Sequence, residues 1–231
     1  MKKIVLILLL ILLYSSVFAC GNKTIKSFYQ AKKKIASIYA DNQKTFYCKC
    51  KYINKTINSD SCGYMPLKHN LRSNRIEWEH IVPASRFGRQ IKVWKDGHPD
   101  CRKKKGRRCA QKVSEEFRRM EADLYNLVPA IGEINQRRSN YPFGVISGEP
   151  RWFGDCYFEI QGRTAEPRED IRGDIARTYF YMAFVYPDYV ALTEEEREKF
   201  KEWNKADPPD AWEIKRAAKI KEIQGNMNPY Y

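Results

Sequence analysis

The chain has 231 residues and a formal net charge of +14, from 42 Lys and Arg against 28 Asp and Glu. That length buries a core as one domain, and no internal repeat or low-complexity linker divides it. So large a basic surplus points to a polyanionic partner, whether nucleic acid, anionic lipid or acidic glycan, and does not choose among them.

The chain opens MKKIVLILLLILLYSSVFAC. Lys2 and Lys3 precede an unbroken apolar run, Ile4 to Leu13, and small residues then lead to Ala19. This is the layout of a secretory signal peptide over residues 1–19. The run of ten is too short to span a bilayer, which takes roughly 20 apolar residues. Export to the periplasm, the medium or the cell envelope is expected. Two kinds of processing stay open. VFAC fits a lipoprotein box with Cys20 carrying lipid and tethering the protein to a membrane, although Phe18 is large for it. Val17 and Ala19 also suit an ordinary cut. Loss of Lys2 and Lys3 leaves the mature domain, residues 20–231, two charges less basic.

The cysteines are Cys20, Cys48, Cys50, Cys62, Cys101, Cys109 and Cys156. With Cys20 set aside, six remain, enough for three disulfides in an oxidising compartment. The paired C-x₂₋₄-C spacings of a structural zinc site are missing. Spacing does not fix connectivity; a Cys101–Cys109 bridge closing a local basic loop is the pairing expected.

Residues 24–40 place Ile25, Phe28, Ile35 and Ile38 near helical spacing. Residues 46–64 read as short strands and turns pinned by cysteine. In NRIEWEHIV, 74–82, Arg75, Glu77 and Glu79 alternate with Ile76 and Trp78, a strand pattern that Pro83 ends. Residues 89–113 form a basic loop. Residues 113–126 look helical, with Phe117, Met120 and Leu124 on one face. A helix is expected from Pro129 through Asn135, since Pro suits a first turn. Turns and strands follow over 141–163. RGDIARTYFYMAFVY (172–186) predicts a core helix. Thr193 and Glu196 form a capping box for a helix over 192–207, ended by Pro208 and Pro209. A last helix covers about 210–223. The pattern as a whole is α+β: a mixed, α-rich single domain.

RIEWEHIVPA (75–84), DLYNLVPAIGEINQRRSN (123–140), RGDIARTYFYM, WNKADPPDAWE (203–213) and IQGNMNPY (223–230) together resemble the bacterial endonuclease I family, from about residue 24 to the C-terminus. These are exported, sequence-nonspecific nucleases of the ββα-metal (His-Me finger) class, whose catalytic unit is two strands, a long loop and a helix around one divalent metal. By resemblance, His80 is the general base, and Glu79 and Asn135 are the protein ligands of the metal. Asn126 is the asparagine that braces the motif. An arginine of the CRKKKGRRC loop contacts the cleaved phosphate; Arg107 is preferred for its place just before Cys109, with Arg102 and Arg108 as alternatives. The resemblance also implies DNA and RNA as substrates, 5′-phosphate products and a monomeric enzyme.

The chemistry agrees with these assignments. Neutral imidazole suits proton abstraction from water near pH 7. A carboxylate and an amide oxygen suit Mg²⁺, which keeps waters and substrate oxygens in its remaining positions; Mn²⁺ or Ca²⁺ are possible substitutes. In a regular strand residues 79 and 80 face opposite ways, so a shared site requires the strand to bulge or end there. Glu77 and Glu121 read equally as residues orienting metal waters or as solvated charges. Arg102, Lys103, Lys104 and Arg108 make a phosphate-binding surface whose affinity falls with salt, and Arg137 and Arg138 are expected to add backbone contacts. Departures from the family pattern are Val93 and Ile214, where relatives carry cysteine, and Arg137, where many carry an acid. The alternatives are a noncatalytic nucleic-acid-binding protein on the same fold, and a lipid-anchored binder of anionic polymers.

Overall fold

A computed structural model describes residues 20–102, 104–148 and 151–231; the expected signal peptide, 1–19, lies outside the described residues. The first turns of chain are tied down by one buried asparagine. The Asn22 side chain donates to the carbonyls of Ile25 and Arg119, and its backbone N–H donates to the Tyr186 hydroxyl at 2.8 Å. Helix α1 (Phe28–Ile38) then starts at Ser27, whose hydroxyl accepts from the Gln30 N–H, and buries Ala31, Ile35 and Ile38.

Strands β1 (Tyr52–Ile53) and β2 (Thr56–Ile57) form a small hairpin. Its flanks are pinned by Cys48–Cys156 and Cys50–Cys62, while Cys101–Cys109 closes the basic segment as expected. Cys20 is free.

The centre of the molecule is β3 (Ile76–His80), followed by a long connection of short helices. These are α2 (Ala84–Gly88), α3 (Lys92–Asp96), α4 (Arg107–Val113) and α5 (Glu115–Glu121). Residues 89–113 are therefore not simply a loop: α3 and α4 flank a connection that holds a 3₁₀ turn, Pro99–Cys101, and Arg107 is the first residue of a helix. The expected helix over 113–126 stops at Glu121, and a 3₁₀ turn carries Leu124–Asn126. Phe117, Met120 and Leu124 are all fully buried.

Strand β4 (Leu127–Ile131) returns antiparallel to β3, pairing Ile76 with Ile131 and His80 with Leu127. Helix α6 (Gly132–Arg138) follows directly. The expectation of a helix starting at Pro129 is corrected: Pro129 lies inside β4 opposite Trp78. In a two-stranded sheet each strand has an open edge, so a residue without an N–H costs nothing there. A second hairpin, β5 (Phe158–Gln161) and β6 (Thr164–Pro167), fills part of the 141–163 region and the residues after it.

The C-terminal third is helical. Helix α7 (Arg172–Val185) buries Ile175, Tyr179, Tyr181 and Met182; its Tyr179 and Phe180 rings meet Phe200 of α8 (Glu194–Ala206), while the Tyr181 ring packs on Tyr125. The Thr193–Glu196 capping box forms as read from the sequence, and Asp210 and Glu213 make a second one for α9 (Ala211–Gln224). The architecture is a mixed α+β domain with nine helices and three two-stranded antiparallel sheets among the described residues. None of these helices is long and apolar enough to cross a membrane.

Candidate active site

The ladder between β3 and β4 runs without a bulge to His80 and stops there. Asn126 is the reason. Its carbonyl accepts from the Ile81 N–H at 3.1 Å, its side-chain oxygen accepts from the Val82 N–H at 2.7 Å, and its side-chain amide donates to the Val82 carbonyl at 3.0 Å. The side chain thus takes over the next pair of ladder bonds and turns the chain towards Pro83, the N-cap of α2. The strand ends where the sequence demanded, and Glu79 and His80 both line one cleft of about 810 Å³.

Asn135 on α6 reaches the same cleft, as do Glu77 and Arg107. The Asn135 amide nitrogen donates to Glu77 Oε2 at 3.0 Å, so its amide oxygen is the atom left for a ligand. Glu77 is itself gripped by Arg72, whose Nε donates to Oε1 at 3.0 Å, and by Arg75 at 3.2 Å. It is therefore paired, not a solvated charge. The close approach needs Gly132: a Cβ there would stand 2.7 Å from the Arg72 carbonyl oxygen and 3.0 Å from the Glu77 carboxyl.

Glu79 is 5% exposed. Its Oε1 accepts from Arg138 Nη1 at 3.0 Å and from the Tyr47 hydroxyl at 3.4 Å. Arg138 also donates to the carbonyls of His80, at 2.8 Å, and Ile81, at 2.6 Å. Burial raises the Glu79 carboxyl to about 7 against the pull of Arg138. Arg138 is fully buried, which corrects its expected place on the substrate backbone: it is the internal counter-ion of Glu79.

His80 Nε2 lies 2.8 Å from the carbonyl oxygen of Glu121. A carbonyl only accepts, so Nε2 carries the hydrogen and Nδ1 the lone pair. Burial, with the nearby Arg107 cation, pushes the His80 imidazolium down to about 3. The ring is neutral at physiological pH. The side chain of Glu121, 1% exposed, accepts from Arg107 Nε at 2.6 Å and from Gln111 Nε2 at 2.7 Å. One residue therefore holds His80 by its backbone and Arg107 by its carboxylate. The carboxylate is buried and paired, not a solvated charge.

Of the basic segment, Arg107 alone among the described residues lines the cleft. Arg102, Lys104 and Arg108 are exposed outside it, and Lys103 lies outside the described residues. Arg137 is held by Glu133 at 3.1 Å over the Phe153 ring, also away from the cleft wall. Sequence reasoning missed Lys32, Lys55, Arg72 and Arg75, which extend the positive lining, and Phe28, whose ring packs on His80.

The family profile described as Endonuclease I matches residues 13–231. The chain belongs to the endonuclease I family. An extracellular deoxyribonuclease of Aeromonas hydrophila is 40% identical over 212 residues, covering 89% of this chain and 88% of that protein. A periplasmic deoxyribonuclease of the same species is 39% identical over 212 residues, with 89% and 85% covered. Endonuclease-1 of Buchnera aphidicola subsp. Acyrthosiphon pisum is 43% identical over 214 residues, with 90% and 81% covered.

Membership of the endonuclease I family points to a divalent metal, and the donors fit one. Glu79 offers a carboxylate and Asn135 a free amide oxygen, both hard ligands, on the wall of one open cleft. Among the described residues no group of three or more His, Cys, Asp or Glu could hold a metal ion. A two-ligand oxygen site leaves the other positions to water and phosphate, as Mg²⁺ favours.

Proposed function

We propose that this protein is an exported, Mg²⁺-dependent nuclease that hydrolyses phosphodiester bonds without sequence preference, through a ββα-type site. The observation that carries the proposal is the convergence of Glu79, His80, Asn135 and Arg107 on one cleft. A purely binding protein has no physical need of a neutral buried imidazole beside two hard oxygen ligands.

Glu79 and Asn135 hold the metal, which when bound stabilises charge developing on the phosphate and the leaving 3′ oxygen. His80 Nδ1, neutral and directed by the Nε2–H bond to Glu121, takes the proton of the attacking water. Arg107, braced by the Glu121 carboxylate, holds a non-bridging oxygen of the scissile phosphate. The products carry 5′-phosphate ends. Exposed cations at Arg102, Lys104 and Arg108 draw in the backbone and read no base, so DNA and RNA both enter. Mn²⁺ replaces Mg²⁺ more readily than Ca²⁺, being closer to it in size and geometry.

The test is degradation of supercoiled plasmid and structured RNA by the purified protein with Mg²⁺, with excess EDTA, and with Mg²⁺ and the His80→Ala variant. Metal-dependent cutting that falls about a hundredfold or more in the variant supports the proposal. A folded protein that shifts plasmid on a gel and never cuts it, across several divalent metals, overturns it. Cys20, free of any disulfide, decides attachment: membrane retention abolished by Cys20→Ser means a lipid tether, and soluble recovery of both forms means ordinary cleavage.

A further inference from the structure

The stripe of α1 that buries Ala31, Ile35 and Ile38 extends one turn further to Phe28, the first residue of the helix. There the stripe reaches the edge of the core. The Phe28 ring is half-buried and lines the cleft among charged groups. Its centroid lies 5.0 Å from that of the His80 imidazole, 5.6 Å from the Arg107 Cζ and 5.1 Å from Lys32 Nζ.

Among the described residues the His80 ring and the Arg107 guanidinium each have one polar support, and both supports belong to Glu121: the carbonyl holds His80 Nε2 and the carboxylate holds Arg107 Nε. A single hydrogen bond at one edge fixes a ring's direction and leaves it free to rock about that axis. A guanidinium held by Nε alone is likewise free to swing its two outer nitrogens. An aromatic face against both groups removes these motions. It supplies van der Waals contact to the imidazole and attraction from the ring's negative face to the guanidinium. The ring is itself anchored from outside the site. Ser27 caps its helix, Asn22 ties the preceding segment to the body of the protein, and the Thr24 hydroxyl donates to the Gln224 carbonyl at 2.9 Å.

We propose that Phe28 is a positioning residue for phosphodiester cleavage, its ring clamping His80 and Arg107 into one reactive arrangement together with Glu121. The proposal rests on the assignment of His80 and Arg107 made above. Without the ring both hydrogen bonds to Glu121 survive, but the groups they hold are displaced. A displacement near 1 Å is enough to cost on the order of a hundredfold in rate.

The experiment measures kcat and KM on supercoiled plasmid, and thermal midpoints, for the mature protein. The variants are Phe28→Ala, Phe28→Leu, Phe28→Tyr, Arg107→Ala and the Phe28→Ala/Arg107→Ala double, with His80→Ala as the control. The expected result is a fall in kcat of roughly tenfold or more for Phe28→Ala and Phe28→Leu, with KM moved less than about twofold. Phe28→Tyr, which keeps the ring, recovers most of the loss. The double variant is slower than Arg107→Ala alone, but by a smaller factor than Phe28→Ala costs the wild type, because the ring has nothing left to hold on the Arg107 side while His80 is still loosened. If Phe28→Ala does not fold, the Leu and Tyr variants carry the comparison. An unchanged kcat overturns the proposal. So does a raised KM at constant kcat, which would make Phe28 a stacking surface for a base. Losses that multiply in the double variant also overturn it. His80→Ala retaining full activity defeats the site assignment itself. His80→Ala inactive beside a fully active Phe28→Ala defeats this proposal alone.

Discussion

Replacing Arg138 by Met tests how much of the site's rigidity comes from one buried ion pair. Methionine preserves most of the length and apolar bulk beside Phe143, over whose ring the guanidinium lies at 4.3 Å. What is lost is the bond to Glu79 Oε1 and the bonds to the His80 and Ile81 carbonyls. Removing one partner of a buried pair costs about 3–5 kcal/mol; here Glu79, whose carboxyl burial already raises to about 7, loses its counter-ion and takes up a proton near neutral pH, and the His80 and Ile81 carbonyls lose their donor. With a urea m-value of roughly 3 kcal/mol/M for a domain of this size, the unfolding midpoint drops by about 1–1.7 M. Arg138→Lys restores the charge without the three-way fork and recovers only part of the shift. Adding Glu79→Gln to Arg138→Met removes the carboxyl left without its partner, and with it the cost of protonating it, so the double variant is more stable than the sum of the single losses predicts. Equilibrium urea unfolding of the five proteins, Glu79→Gln alone included, measures this. A midpoint for Arg138→Met within about 0.2 M of wild type, or strictly additive losses, would refute the reasoning.

Glu121→Gln keeps the carbonyl that holds His80 and weakens the grip on Arg107, so kcat should fall on the order of tenfold with stability nearly unchanged, as plasmid kinetics and a melting curve will show. Paired Cys→Ser changes separate two kinds of disulfide. Opening Cys48–Cys156, 108 residues apart, should cost about 4–5 kcal/mol; opening Cys101–Cys109, 8 apart, should cost about 2–3 kcal/mol and lower kcat by freeing the segment that carries Arg107. Gly132→Ala should reduce activity by pushing Glu77 off Asn135, read as weaker Mg²⁺ activation in a titration. Burial raises the Glu196 carboxyl, but the Arg86 guanidinium and the Thr193 N–H outweigh it and hold the group below its usual range. A lowered carboxylate adds stability above its unfolded pKa, near 4.5, and loses it as pH falls through the folded value. Melting temperatures between pH 3 and 6 should therefore fall more steeply for wild type than for Glu196→Gln.

The β3 strand was legible because alternation over 75–79 has no helical reading, and the Thr193–Glu196 capping box was legible because it is local chemistry; the same Asp-x-x-Glu signal at Asp210 and Glu213 went unread. Pro129 was misleading. The rule that puts Pro in a first helical turn is sound, but an open strand edge tolerates the same missing N–H, and only pairing with Trp78 distinguishes them. Arg138 looked like a phosphate contact because it sits in a polar run. A signal was available: it lies four residues after Ile134, on the same helical face, and Ile134 is fully buried. The convergence of Glu79, His80 and Asn135 on the cleft was readable only through the family resemblance, because residues 80 and 135 are brought together by the antiparallel return of β4. Phe28 read as one more apolar helix position, and nothing in its neighbours announces that the stripe has come to the edge of the core and the wall of the cleft.

The partner that fixes the His80 tautomer is a main-chain oxygen. No codon change deletes a carbonyl. Natural drift at position 121 can alter how Arg107 is held while the imidazole keeps its proton on the same nitrogen, so the two halves of the machinery vary on separate terms. An alanine scan across the site would pass over this contact without registering it. To probe it, the amide linking Glu121 to Ala122 must be replaced by an ester, whose carbonyl is a weaker acceptor.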